Sequence, residues 1–149
     1  MRIVRSCAPC LALALAAVGC GKSKIDQCNA FIDRANKAQT VLNGLSYDGD
    51  DPAKFEQEAA TIDAEAKAVG EVNVVDEKLV SLRNEYGASL GKLAKVTRDI
   101  AAVAKDAKVP AKAASVEAQM KKLEREADKL EKDESKLVDQ VNAYCSGGK

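Results

Sequence analysis

A chain of 149 residues gives room for one domain built around a single core. Lys and Arg total 23 and Asp and Glu total 23, so there is no net basic character to draw the chain to nucleic acid or to an anionic membrane surface. His is absent, which removes zinc, haem attachment and a Ser/His/Asp triad in their usual forms, and an Ala/Leu/Val/Lys/Glu-rich composition with 3% aromatics points to long helices.

The first element is an export signal. Arg2 and Arg5 supply positive charge, and residues 11–18 form an uninterrupted Ala/Leu/Val run. That run is far shorter than the ~20 apolar residues a membrane-crossing helix needs, so it reads as a signal core. It ends at Ala17-Val18-Gly19-Cys20. This stretch resembles the lipobox of bacterial lipoproteins: an aliphatic residue, two small residues and then the cysteine that is acylated. Ala17 departs from the usual Leu at the first position. The resemblance covers residues 1–20 and implies removal of residues 1–19, lipid on Cys20 and tethering to a membrane. Because Gly21 is not Asp, it further implies sorting to the outer membrane of a two-membrane cell. Residues 20–23 are then the tether, residues 24–145 the helical bundle and residues 146–149 a flexible tail. Four extended residues after Cys20 reach at most ~14 Å.

The first helix shows apolar positions at Ile25, Cys28, Ile32, Ala35 and Leu42, spaced by threes and fours, and stops at Asn43-Gly44. A polar stretch, residues 46–51, closes on Asp51-Pro52, an N-cap followed by proline at the first helical position. The second helix carries Phe55, Ala59, Ile62, Ala66 and Val69 and ends at Gly70. The third begins after residues 72–75, capped by Asn73 or Asp76, and its seam runs through Leu79, Leu82, Tyr86, Ser89/Leu90, Leu93, Val96, Ile100, Val103 and Ala107. A turn at Lys108-Val109-Pro110 leads into the fourth, with Val116, Met120, Leu123, Leu130, Glu134, Leu137, Val141 and Tyr144 on one seam. Heptad-like seams and short connections predict an all-α, antiparallel, up-down-up-down four-helix bundle with long, coiled-coil-like third and fourth helices. Exposed faces offer i,i+4 ion pairs at Asp33/Lys37, Asp63/Lys67, Glu117/Lys121 and Asp128/Lys132. The first helix reaches only about Leu45. The outer ends of the last two, about 18 residues, are therefore expected to project roughly 27 Å beyond the first two and pack on each other.

Of five cysteines, Cys7 and Cys10 leave with the signal and Cys20 takes the lipid. Cys28 and Cys145 remain, and in an exported protein such a pair reads as a disulfide. The topology brings the start of the first helix and the end of the fourth together, which agrees independently. The register that pairs these cysteines also pairs Gln39 with Glu134, the two polar residues on apolar seams. Two readings stand: a buried amide–carboxylate hydrogen bond fixing register, or chance polar positions with Glu134 turned to solvent. Asp48-Gly49-Asp50-Asp51 resembles a calcium loop, but an EF-hand starting at Asp48 needs Glu where Ala59 stands, so it reads as a solvated turn.

No catalytic residues, metal or cofactor are expected. The sequence reads as a non-enzymatic, membrane-tethered helical module of the cell envelope with a structural or protein-interaction role. The alternatives are a holdase-like or other binding protein of the periplasm, or a peptidoglycan-linked lipoprotein. The last rests on Lys149, where the chain resembles Braun's lipoprotein in its acylated cysteine, helical heptads and C-terminal lysine.

Overall fold

The computed structural model describes residues 23–45 and 51–147. Residues 1–22, with the expected signal and Cys20, residues 46–50, with Asp48-Gly49-Asp50, and residues 148–149, with Lys149, lie outside the described residues. The order is α1 (Lys24–Asn43), α2 (Pro52–Gly70), α3 (Glu77–Ala107), a single 3-10 turn (Pro110–Lys112) and α4 (Ala113–Cys145). All the described regular structure is helical, and the third and fourth helices are the long ones, as the seams predict.

Local chemistry sets the helix ends. Ser23 caps α1: its hydroxyl accepts from the Asp26 amide at 3.1 Å, and the Asp26 carboxylate accepts from the Ser23 amide at 3.2 Å. The sequence reading placed no cap there. Asp51 caps α2 through the Ala53 amide at 3.0 Å, with Pro52 at the first helical position. Of the two candidates before α3, Asp76 is the cap, accepting from the Leu79 amide at 3.0 Å. Of the four surface pairs expected, Glu117–Lys121 forms, at 2.6 Å. Asp63 pairs across the bundle with Arg98, and Lys67 turns to Glu71 at 3.9 Å.

The third helix is the spine against which the others pack. Toward its start α1 lies alongside, with the Phe31 ring edge-on to Tyr86 at 6.3 Å between centroids. Toward its end α2 lies alongside: Phe55 packs on Ala101 and Ala104, and Glu56 pairs with Lys105 at 3.3 Å. Arg34 and Glu65 join α1 to α2. Down the other flank runs α4, from Leu123 on Val96 and Val103 to Tyr144 on Asp76. The expected two-helix projection is therefore corrected. α2 covers the outer half of α3: Phe55 in its first turn packs on Ala101 and Ala104, and the helix runs back from there to Ile62 and Val69 in the main core. The outer part of α4 has α3 alone beside it, since α2 and α4 do not approach within 8 Å Cα to Cα.

One end of the bundle is clasped. Cys28 and Cys145 form the expected disulfide, with Cα atoms 5.7 Å apart. Beside it the buried Gln27 side-chain oxygen accepts from the Val75 and Asp76 amides at 2.6 and 3.0 Å, anchoring the turn before α3 to α1. The Tyr144 hydroxyl donates to Asp76 at 2.9 Å while the Lys24 ammonium stands over the Tyr144 ring, 3.7 Å from its centroid. The main core lies just above, with Phe31, Ile62, Val69, Leu79, Leu82 and Tyr86 all withdrawn from solvent.

Candidate functional site

The clasp holds α1 and α4 together at one end only. Above it the two helices part, and a cleft of about 480 Å³ opens between them. Phe31, Ile32, Ala35 and Leu42 of α1 form one wall; Glu131, Glu134, Val138 and Val141 of α4 form the other; Tyr86 and Leu93 of α3 lie at its base. Asn36, Gln39, Asn43, Ser135 and Asn142 complete the lining. Ala35 and Ser135 are small, so the walls do not fill the gap. Apolar side chains line slightly more of the cleft than polar ones, and the volume is in the range of small-ligand sites.

Glu134 is the chemically distinctive group. It is 9% exposed, and its Oε1 accepts from the Tyr86 hydroxyl at 2.9 Å. Burial raises its carboxyl above the ordinary carboxylate range; the Tyr86 hydrogen bond opposes that, and the neighbouring Glu131 charge adds to it. Tyr86 in turn is pushed well above the ordinary phenol value by its own burial and by the Glu134 charge. No lysine or arginine lines the cleft, so two carboxylates set its charge.

This geometry corrects the expected register pair. Gln39 and Glu134 do line the same cleft, but they are not each other's partner: the Gln39 amide donates to Asn43 Oδ1 on its own helix at 3.4 Å, while Glu134 bonds to Tyr86. The alternative, Glu134 turned to solvent, is equally corrected by its burial. The reason is the spreading of α1 from α4, which separates the facing positions and leaves the α3 phenol as the nearest donor. The sequence reading placed Tyr86 on the seam as core and did not see its hydroxyl as a partner. The signal was present: a tyrosine on an apolar seam needs a hydrogen-bond acceptor for its hydroxyl, and Glu134 is the one carboxylate on the apolar seam read for the fourth helix.

A second, shallower depression lies over the clasp, bordered by Ile25, Asn29 and Ile32 of α1 and by Asn142 and Ser146. Among the described residues no group of three or more His, Cys, Asp or Glu side chains is arranged to hold a metal ion, and no helix is long and apolar enough to cross a membrane. The chain matches no family model, no curated protein and no solved structure.

Proposed function

We propose that this protein is a lipid-anchored binding module of the bacterial cell envelope, tethered through Cys20 and holding an occupant in the α1–α4 cleft without transforming it. Of the roles open to a tethered helical module, a binding role is favoured by one observation: the cleft itself, open, lined by both apolar and polar side chains and set beside the clasp. The ordered export signal and the Ala17-Val18-Gly19-Cys20 stretch support the tether, and the Cys28–Cys145 disulfide suits an oxidising compartment. In this reading the short tether keeps the clasped end near the bilayer and the cleft opens sideways above it, within reach of envelope constituents.

The test is a photo-crosslinking residue placed in living cells at Gln39, inside the cleft, or at Gln119, on the exposed outer part of α4. An adduct at Gln39 and none at Gln119 is the expected result, and its mass reports what sits in the cleft. Equal labelling at both positions, or none at Gln39, overturns the reading. Cys20→Ser tests the tether separately: its product is expected to lose the acyl mass and leave the membrane fraction.

A further inference from the structure

The cleft joins an apolar strip to a largely buried carboxylate that lines it and keeps one oxygen open to solvent. Glu134 Oε1 is taken by Tyr86, whereas Oε2 keeps contact with solvent, and Glu134 lines the cleft. One phenolic hydroxyl meets part of the carboxylate's hydrogen-bonding capacity and leaves Oε2 able to accept from a molecule that enters the cleft. Glu131 stands one helical turn away on the same wall, and no basic side chain lines the cleft to balance the pair. Arg34 of α1 pairs with Glu65, and its charge is felt at Tyr86, but it does not line the cleft.

We propose that the α1–α4 cleft is a binding site for a small amphiphilic cation, an ammonium group carried on an apolar chain, with the ammonium at Glu134 Oε2 and the chain along Leu93, Val138 and Phe31. The inference rests on the reading of the protein as a binding module and adds the chemistry of what is bound. An ammonium brings three donors and an opposite charge to Glu134, and its apolar chain displaces water from the cleft as it binds, which strengthens the interaction. The apolar chain covers surface that the parted helices leave uncovered. A fatty acid of the same length fits the trough but meets Glu131 and Glu134 as like charges, and a neutral alcohol gains the apolar contact alone. The cleft therefore selects by charge as well as by shape.

The experiment uses the oxidised mature-length chain, residues 20–149, with Cys20→Ser so that no detergent competes. Octylammonium, octanol and octanoate are titrated below their aggregation limits while backbone amide shifts are followed by NMR. Octylammonium is expected to saturate one site marked by Ala35, Gln39 and Ser135, about tenfold tighter than octanol, with octanoate weakest. Glu134→Gln keeps the acceptor for Tyr86 and is expected to bring octylammonium down to the octanol level while octanol changes by no more than about twofold. Ala35→Leu fills the trough and is expected to weaken both. Octanoate binding as tightly as octylammonium, an unchanged cation preference in Glu134→Gln, or shifts centred outside the cleft would each overturn the inference. If octanol binds but no cation preference is seen, the cationic chemistry fails while the binding-module reading stands. If none of the probes enters and Gln39 yields no crosslink, both fail.

Discussion

The buried hydrogen bond between Tyr86 and Glu134 ties the core to the cleft, and two residue-scale predictions follow from it. Glu134 keeps its proton to higher pH in the folded protein than in the unfolded chain, because burial penalises the charge. Its folded value is raised, so the protonated form favours folding. That contribution is complete below the unfolded value and is lost as pH rises through the folded one. Wild-type protein should therefore lose stability relative to Glu134→Gln as pH is raised from about 4 toward neutrality, and the two should converge in acid; thermal unfolding across that range checks it. Tyr86→Phe removes the one hydrogen-bond donor that Glu134 has among the described residues and should destabilise by about 1–3 kcal/mol at neutral pH, measured by urea unfolding. Asp76 titrates in the opposite sense. The Leu79 amide holds its carboxyl below the ordinary range, with the Tyr144 hydroxyl assisting, so its contribution is present at neutral pH and fades as the solution is acidified through the folded value.

The helices differ in how well each is held. α2 is fastened to the outer half of α3 by Phe55, which is 6% exposed and sits on Ala101 and Ala104, close-approach positions that leave room for the ring. Phe55→Ala should cost about 3–5 kcal/mol if the gap cannot collapse, and hydrogen exchange should show the first turns of α2 losing protection before α1 does. The outer part of α4 behaves differently. From Ala113 to Lys122 its side chains are exposed except for Val116 and Met120, which are partly covered by α3, and a helix packed on one flank gains little burial. Such a segment belongs to the low-stability end of the molecule and should exchange its amides fastest among the described helices.

The whole molecule is clasped at one end and opens above it. Joining Cys28 to Cys145 closes a separation of 117 residues, worth about 4–5 kcal/mol in the chain-entropy treatment, against a total stability of roughly 5–15 kcal/mol for a domain of this kind. The same link holds α1, the helix with the smallest share of contacts to its neighbours, against α4. Reduction, or Cys28→Ser with Cys145→Ser, should lower the unfolding temperature and release α1 first, seen as exchange at Phe31 and Ala38 amides ahead of those in α3. Unchanged stability on reduction would mean that Gln27, Tyr144 and the core suffice to hold that end.

Much of this was legible in the residue order, because helix limits are local. Asp51-Pro52, Asp76 and Asn43-Gly44 act through groups within one turn, and the spacing of apolar residues turns directly into a buried stripe, so element type, element ends and an antiparallel order can be read without coordinates. The cysteine pairing was readable too, since the topology brings the two ends together and an exported protein is expected to oxidise such a pair. What lay beyond the sequence is the relative placement of finished helices. That α2 climbs to cover the outer half of α3, that α1 parts from α4 above the disulfide, and that Glu134 meets Tyr86 rather than Gln39 all depend on where side chains from four separate segments come to rest. Periodicity specifies which face of a helix is buried, but two helices with suitable faces can slide or splay for little energy until the bulk of Phe31, Phe55 and Tyr86 and the reach of the clasp decide the matter. The cleft is a product of that decision, and so only the tertiary structure contains it.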